Sequence, residues 1–220
     1  MKDFIRADKN LCESFRKYST TNISDALDVL GIKGACQHIL PIIENKKIVG
    51  PAFTLRYIPV GMPIKSKLGT IGNYFEYVKE GDVIVIDNGG RIYCSVWGDI
   101  FSLAALKLGV CGTVIDGVCR DIAGIKELDY PVFSKGRFMA AGGKGRVQLN
   151  GINVPVSISN VPVNPGDIVV SDDTGVLIVP LKKAKEVLSL AKNVSEKEEL
   201  IKKAVNEGMP LFEAREKYLT

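Results

Sequence analysis

Histidine is almost absent from the 220-residue sequence, which contains only His38, and none of its five cysteines forms a C-x-x-C pair. The odd number of cysteines argues against a disulfide framework, and the missing C-x-x-C spacing argues against a zinc knuckle. We therefore predict reduced thiols and a cytoplasmic protein. We interpret His38 as a packed or surface residue and not as a catalyst.

A thiol nucleophile at Cys94 or Cys119 is an alternative that the sequence leaves open. Such a thiol usually needs a basic neighbour that lowers its pKa. The single histidine lies far from both cysteines in sequence, which counts against this alternative.

Long apolar runs and charge of one sign are also missing. No uninterrupted apolar stretch approaches the roughly 20 residues that span a bilayer. Residues 1–10 are charged and lack the apolar core of a signal peptide. The net charge is only +4, and acidic residues are interspersed among the basic ones. We therefore expect neither a membrane nor a nucleic-acid partner.

The common nucleotide and hydrolase motifs do not occur. The sequence has no Walker loop, no G-x-S-x-G elbow, no H-E-x-x-H pair and no Ser/His/Asp set. Residues 88–91 are glycine-rich, but they lack the spacing of a dinucleotide fingerprint. A methyltransferase that binds a nucleotide cofactor is therefore disfavoured.

What the sequence does contain is enough apolar material for one α/β domain. Hydrophobic residues make up 46% of the chain and charged residues 25%, which is typical of a globular protein with a core. Residues 83–87 and 112–116 are almost wholly apolar, which predicts strands that are covered on both faces. Helices are predicted after each strand, over residues 99–108 and 122–128, with Leu103, Ala104 and Leu106 on the buried side of the first. This alternation indicates an α/β fold.

The remaining elements are predicted from turn residues and apolar periodicity. We predict a short helix over residues 26–30 behind cap candidates at residues 20–25, an extended segment over residues 48–58, and a helix near residues 70–78. Glycine and proline turns divide residues 142–180 into short strands. Residues 182–219 are predicted to be helical, with a break at residues 208–210. We therefore divide the chain into an α/β domain, residues 1–180, and a C-terminal helical extension, residues 181–220, that packs on the same domain or on a neighbouring subunit.

Two stretches could carry chemistry, and they are separated by 20 residues: Gly98-Asp99 and Arg120-Asp121. Gly98-Asp99 opens a predicted helix, whose first backbone amides and dipole favour a carboxylate. Arg120-Asp121 follows a buried strand, where open α/β sheets bind ligands. There an Asp can hold a metal and an Arg can clamp an oxyanion. The structural alternative is that Asp99 only caps its helix and that Arg120 and Asp121 form a surface ion pair.

The pattern resembles the RraA-like superfamily, which includes 4-hydroxy-4-methyl-2-oxoglutarate aldolases and ribonuclease E regulators. The aldolase branch has the motif G-x-x-x-D, then 20 residues, then R-D. Asp99, Arg120 and Asp121 occupy the last three defined positions of this motif. The other matching stretches are residues 21–27 (TNISDAL), 50–54 (GPAFT), 81–83 (GDV), 97–99 (WGD), 115–121 (IDGVCRD), 131–133 (PVF), 166–167 (GD) and 173–176 (DTGV). The resemblance implies a swivelling β/β/α domain that assembles as a homotrimer, or as a homohexamer of two trimers.

The resemblance also implies a divalent-metal site. Asp121 would contact the metal, and Asp99 would reach it through water. A glutamate from the C-terminal helix of a neighbouring subunit would complete the site. Glu198 is the best match and Glu199 the second, with a solvated surface glutamate as the alternative. Oxygen ligands without histidine favour Mg²⁺ or Mn²⁺ over zinc.

The substrate site is implied in the same way. Arg120 would bind the oxygen of a small 2-oxo acid and steady its enolate. Gly98 and the backbone amides of Ile100 and Phe101 would receive the substrate carboxylate. The catalytic residues are therefore predicted to be Arg120 and Asp99.

These residues together predict a metal-dependent aldolase or decarboxylase. It would cleave a carbon–carbon bond of a 4-hydroxy-2-oxo acid, or of oxaloacetate, through a pyruvate enolate. Two departures affect the choice of substrate: Ser95 replaces the first glycine of the aldolase motif, and Gly124 stands where an acid often follows R-D. A lyase for another oxo acid is one alternative. A non-catalytic regulator that binds a ribonuclease is the other, although that branch typically lacks the Asp found here at position 121.

Overall fold

The computed structural model describes residues 4–61, 68 and 74–219. Its helices are α1 (Lys9–Arg16), α2 (Thr20–Val29), α3 (Asp99–Lys107), α4 (Ile122–Glu127), α5 (Ala184–Asn206) and α6 (Leu211–Leu219). Its strands are β1 (Ala35–Cys36), β2 (Leu40–Pro41), β3 (Ile48–Pro59), β4 (Val83–Ser95), β5 (Gly112–Val118), β6 (Val132–Ser134), β7 (Val147–Ile152), β8 (Val156–Ile158), β9 (Val161–Val163), β10 (Ile168–Asp172) and β11 (Gly175–Val179). The predicted α/β class and the C-terminal helices are confirmed.

A mixed sheet forms the centre of the described fold. Its strands follow the order β1-β11-β10-β3-β4-β5-β6-β2, and β7 also pairs with β3. β3, β4, β5 and β6 run parallel, whereas β10, β11, β1, β2 and β7 pair antiparallel with their neighbours. β8 and β9 form a separate hairpin. The parallel strands β4 and β5 therefore end at the same edge, with Ser95 opposite Val118.

The apolar run of β4 is buried on both faces because successive side chains point to opposite sides of the sheet. Ile84 and Ile86 pack in a cluster with residues of α3 and α4, including Ala105 and Ile125. Val83 and Val85 pack in a second cluster with residues of β8 to β11. A third cluster joins α1, α2 and α5 to β10 and β11. These layers fix the start of α3 against the carboxyl edge of the sheet.

The predicted start of α2 is wrong. The helix begins at Thr20 and not near residue 26, and the side chain of Ser19 caps it by accepting from the amide of Asn22. Asp172, which is 152 residues away in sequence, accepts from both the amide and the hydroxyl of Thr20. The helix starts earlier than predicted because this distant carboxylate satisfies a terminal amide, and short-range sequence patterns cannot reveal such a cap.

The predicted end of β4 and the predicted buried side of α3 are also wrong. β4 continues through Gly89 and Gly90, whose positive φ angles accompany a shift in its register with β5. A bulge therefore forms where the sequence predicted a break. In α3 the buried residues are Ser102 and Ala105, while Leu103 and Leu106 are exposed. Small residues point inward because Ser102 bonds to Trp97 beneath the helix.

The C-terminal prediction is confirmed, since α5 ends at Asn206 and α6 begins at Leu211. The helix predicted near residues 70–78 falls partly outside the described residues, because residues 70–73 are not described. Phe75–Tyr77 form a single 3₁₀ turn. None of the helices in the described ranges is long and apolar enough to cross a membrane.

Candidate active site

The two predicted stretches meet at the carboxyl edge of the sheet. The chain leaves β4 through residues 96–98 into α3, and it leaves the neighbouring strand β5 through residues 119–121 into α4. The amide of Arg120 donates to the carbonyl of Trp97 over 3.0 Å, which ties the two loops together. Two stretches with 20 residues between them in sequence therefore lie side by side, in the crevice where open α/β sheets bind ligands.

A third segment completes a cavity of about 290 Å³. The segment after β6 runs parallel to the ends of both strands, with isolated bridges from Ser95 to Ala141 and from Cys119 to Arg137. Ser95 donates its amide to Ala140 over 2.8 Å. This segment brings Lys144 to the cavity wall. Lys144 was missed by the sequence analysis, and its only local signal is the glycine-rich stretch around it.

All of the predicted residues on the two loops and on the first turn of α3 line this cavity: Gly98, Asp99, Ile100, Phe101, Arg120 and Asp121. Asp121 has a left-handed backbone, with φ of 56°, a conformation that costs energy for a residue with a side chain and that is concentrated at functional sites. Its Oδ2 lies 3.1 Å from the Nε of Arg120. The ion pair of the structural alternative therefore exists, and it lies at the cavity wall.

Gly98 is required by the position of Asp121. A Cβ atom added at residue 98 would lie 2.4 Å from Oδ2 of Asp121, which is far inside the usual contact distance. The carboxylate of Asp121 therefore packs directly against the backbone of Gly98, which precedes α3.

The carboxylate of Asp99 lies between α3 and α4. Oδ1 accepts from the amide of Ile100 over 2.7 Å. Oδ2 lies beside Gly124 of α4, where an added Cβ atom would be 2.9 Å away. Asp99 therefore bridges the start of α3 and the body of α4.

The start of α3 offers backbone donors to the cavity. The first intrahelical hydrogen bond runs from the amide of Ser102 to the carbonyl of Gly98 over 3.0 Å, so the amides of Ile100 and Phe101 precede the bonded ladder. The hydroxyl of Ser102 accepts from Nε1 of Trp97 and donates to the carbonyl of Gly98. An incoming carboxylate would have to share the amide of Ile100 with Asp99, whereas no such bond from Asp99 engages Phe101.

Glu198 does not join this site within one chain. It lies on α5, accepts from Nδ2 of Asn22 over 2.7 Å, and lines a separate cavity of about 540 Å³ between α2, α5 and α6. Asp25 lines the same cavity, and its pKa is raised because neighbouring protein desolvates it and because the Glu198 carboxylate lies nearby. Glu199 pairs instead with Lys202 over 2.7 Å. A role for Glu198 at the metal requires a second copy of the chain and stays a prediction.

The carboxylates of Asp99 and Asp121 fit a hard divalent cation. Within the described ranges no group of three or more His, Cys, Asp or Glu side chains is placed to hold a metal. Mg²⁺ is commonly bound through one or two carboxylates while it keeps several waters. Two carboxylates on one cavity wall are therefore a sufficient donor set for Mg²⁺ or Mn²⁺, and they are a poor one for zinc.

The cysteine alternative does not agree with the structure. Cys94 and Cys119 are both fully buried, and burial raises the pKa of each thiol. A nucleophilic thiol needs the opposite shift and an open approach. His38 lies on an exposed turn with a φ of 60°, which confirms the prediction of a packed or surface residue.

Comparisons with known proteins identify the family to which the chain is similar. The model of the RraA-like family, described as Aldolase/RraA, matches residues 20–178. The chain is 41% identical over 213 residues to the protein DlpA of Legionella pneumophila, covering 95% of this chain but only 34% of that protein. It is 35% identical over 209 residues to a Halalkalibacterium halodurans protein named "Putative 4-hydroxy-4-methyl-2-oxoglutarate aldolase", covering 95% of each. The chain therefore spans about a third of DlpA and nearly all of the second relative.

Solved structures agree on the fold. An uncharacterized protein from Pseudomonas syringae matches with a TM-score of 0.86 at 38% identity, over 96% of this chain and 100% of that one. RraAS2 of Streptomyces coelicolor, whose title calls it an unusual member of the RNase ES inhibitor RraA protein family, matches with a TM-score of 0.82 at 28% identity, over 90% of this chain and 98% of that one. The family therefore includes a sequence relative named for catalysis and a solved structure named for inhibition.

Proposed function

The chain belongs to the RraA-like family, and we propose that it is a divalent-metal-dependent lyase that breaks a carbon–carbon bond of a small 2-oxo acid. The observation that supports this proposal most is the meeting of Asp99, Arg120 and Asp121 on one cavity wall. The comparison with a relative named as an aldolase agrees with it.

The proposed metal ligands are Asp121 directly, Asp99 through water, and Glu198 from a neighbouring copy. When bound, Mg²⁺ or Mn²⁺ supplies positive charge that polarises the 2-oxo group. Asp121 also holds the guanidinium of Arg120, which positions this cation beside the same group.

Arg120 binds the 2-oxo oxygen in this proposal. A guanidinium has five N–H donors, and the pairing of Nε with Asp121 uses only one side of the group. The remaining donors stabilise the negative charge that develops on the oxygen as the bond breaks.

The start of α3 binds the C1 carboxylate through the Phe101 amide and the Ile100 amide that Asp99 also uses. Asp99 orients a water molecule that relays the proton of the C4 hydroxyl to the Asp99 carboxylate. As that proton leaves, C4 becomes a carbonyl carbon and the C3–C4 bond breaks, and the electron pair of this bond stays on C3 as a pyruvate enolate that Arg120 stabilises. Oxaloacetate loses CO₂ through the same enolate.

Lys144 points to a substrate with a second negative group. It is an exposed cation that lines the same cavity, and it has no ion pair among those found in the described residues. We propose that it attracts a distal carboxylate, as in oxaloacetate.

The test is release of pyruvate from oxaloacetate, measured with and without Mg²⁺ or Mn²⁺. We expect turnover that requires the metal and that Asp121→Ala abolishes. Glu186→Ala, which removes an exposed carboxylate on α5 that pairs with Lys183, is the matched control and should keep full turnover. Turnover in Asp121→Ala equal to wild type would contradict the proposal.

A second candidate function is inhibition of a ribonuclease, and the match to RraAS2 is the observation that favours it. The two candidates differ in what Asp121→Ala should do. Failure of the wild type to accelerate oxo-acid cleavage above the metal alone, together with inhibition of a ribonuclease by both wild type and Asp121→Ala, would favour this candidate.

A further inference from the structure

The space beside Gly124 is filled by Asp99. A Cβ atom added at residue 124 would lie 2.8 Å from Cβ of Asp99, 2.9 Å from its Oδ2 and 3.3 Å from its Cγ. All three of the nearest atoms belong to that one side chain, and carbon atoms in contact normally lie about 3.5–4.0 Å apart. The side chain of Asp99 therefore lies where a side chain at position 124 would begin.

The backbone gives no reason for a glycine here. Gly124 lies inside α4 and is not among the residues with positive φ. Alanine is a better helix former than glycine at such a position, because glycine loses more backbone freedom on folding. The benefit of Gly124 must therefore come from the side chain packed against it.

Asp99 cannot easily move out of the way. Its Oδ1 is bonded to the amide of Ile100, so a displaced side chain would lose that bond or change rotamer. If α4 moved instead, it would carry Asp121, which immediately precedes this helix and whose Oδ2 contacts the backbone at Gly98. Either movement changes the distance between the two carboxylates on the cavity wall.

We propose that Gly124 is a positioning residue, whose missing side chain leaves the volume that holds the Asp99 carboxylate at the cavity. A side chain at position 124 and the side chain of Asp99, from its Cβ atom to its carboxylate, are alternatives for one space. A carboxylate supplied from α4, at position 124, consequently replaces Asp99 when Asp99 is removed. The steric part of this inference stands by itself, and the metal-binding part rests on the proposed function.

The steric part is tested on the metal-free protein with a double-mutant cycle of Gly124→Ala and Asp99→Gly. Asp99→Gly removes the Cβ atom and the carboxylate that lie beside Gly124, and in this background we expect Gly124→Ala to raise Tm by about 2–4 °C through helix propensity. With Asp99 present we expect Gly124→Ala to lower Tm. Ala123→Gly, at an exposed position of the same helix, is the matched control that measures propensity alone.

Equal effects of Gly124→Ala in both backgrounds would overturn the inference. The inference is supported if Gly124→Ala lowers Tm when Asp99 is present and raises Tm when Asp99 is removed. The change in Tm caused by Ala123→Gly should be the same in both backgrounds. Only alanine and glycine variants enter this cycle, so it requires no turnover and no metal.

The metal part is tested by titrating Mn²⁺ and measuring free Mn²⁺ by electron paramagnetic resonance. We expect Gly124→Ala and Asp99→Gly each to weaken Mn²⁺ binding about tenfold or more, as loss of a supporting partner at a metal site does. We expect the double variant Asp99→Gly/Gly124→Asp to bind Mn²⁺ at least tenfold more tightly than Asp99→Gly. A loss of packing alone would not produce this recovery.

The two possible failures can be told apart. If the wild type neither binds Mn²⁺ nor cleaves an oxo acid, the proposed function is wrong, and the Tm cycle still decides the steric inference. If the wild type binds Mn²⁺ and Gly124→Ala binds it equally well, the positioning role is wrong and the proposed function is unaffected.

Discussion

Each of the two carboxylates at the cavity packs against a glycine that leaves room for it. Asp121 has a left-handed backbone and contacts the bare backbone of Gly98, while Asp99 fills the space beside Gly124. The two glycines and the two carboxylates therefore interlock across the contact between α3 and α4. A methyl group added at Gly98 should therefore displace the carboxylate of Asp121, and one added at Gly124 should displace the side chain of Asp99.

Arg120→Ala should reduce kcat for oxaloacetate decarboxylation by about 10²–10³-fold, which is the usual cost of one lost donor to a developing oxyanion. Arg120→Lys should recover only part of this loss, because an ammonium lacks the planar fork that can serve Asp121 and the substrate together. Steady-state kinetics at saturating metal measure kcat for both variants. An unchanged kcat in Arg120→Ala would remove this residue from the mechanism.

Lys144→Met should raise KM for oxaloacetate by about tenfold and should change kcat little, because the proposed contact is made equally in the ground state and in the transition state. Methionine keeps the length of the side chain and removes the charge. Lys182→Met, in the 3₁₀ turn Leu181–Lys183 that precedes α5, is the control. A KM that does not change would show that Lys144 does not contact the substrate.

At the scale of elements, α2 depends on a carboxylate from β10. Asp172 accepts hydrogen bonds from the amide and hydroxyl of Thr20 and from the amide of Thr174. Burial alone would raise the pKa of Asp172, but these bonds outweigh burial and lower it below its ordinary 3.8. Because α2 also carries Asn22, which holds Glu198, the bonds to Asp172 help to place the glutamate on α5.

Asp172→Ala should therefore lower the free energy of unfolding by about 1–3 kcal/mol, the cost of leaving such donors unpaired. The lowered pKa means that the unfolded chain binds this proton more readily than the folded chain does. The contribution of Asp172 is thus present above pH 3.8 and is lost as the pH falls through its lower folded value. Urea unfolding measured between pH 6 and pH 2.5 should show a smaller acid loss in Asp172→Ala than in the wild type.

The sequence predicted the elements that follow local rules. The strands at 83–87 and 112–116 were recognised because both of their faces are apolar, and their shared edge placed Arg120-Asp121 beside Gly98-Asp99. The sequence did not predict the cap from Asp172, because that residue lies far along the chain. It also missed Lys144, because a segment with few regular elements carries this residue to the cavity.

The buried side of α3 was missed for a different reason. Periodicity favoured leucines, but Ser102 is the residue turned inward, since it bonds to Trp97 and to the carbonyl of Gly98. Gly124 was first interpreted as a missing acid. Its packing against Asp99 could be recognised only once two helices from separate parts of the chain were placed side by side.

At the scale of the whole molecule, the predicted metal ligands of one chain lie at two separate cavities. Asp99 and Asp121 lie at one cavity and Glu198 lies at another. Apolar side chains are exposed near the first, with Ile100 at 74% and Met139 at 77% of full exposure. We propose a homotrimer, or a homohexamer of two trimers, in which Glu198 of one copy meets Asp121 of the next.

Asp121→Ala and Glu198→Ala should each abolish turnover, because each removes a ligand from every shared site. When the two variants are co-expressed or reassembled together, some sites should receive Asp121 from one copy and Glu198 from the other. Turnover should therefore recover to a fraction of the wild type. The control is Asp121→Ala mixed with Asp99→Ala, which cannot restore a site because both residues come from the same chain.

Recovery in the first mixture but not in the control would support a shared site. A protein that runs at its monomer mass of 23.9 kDa and still turns over oxaloacetate would contradict it.

The bond between Trp97 and Ser102 has one more consequence. The chain has a single tryptophan, and its indole is anchored under the first turn of α3, immediately before Gly98. All of the indole fluorescence of the protein therefore originates at the floor of the cavity. A change in emission during a titration therefore reports on the surroundings of this one side chain, which lines the cavity, so that occupancy can be followed in unlabelled protein without any turnover.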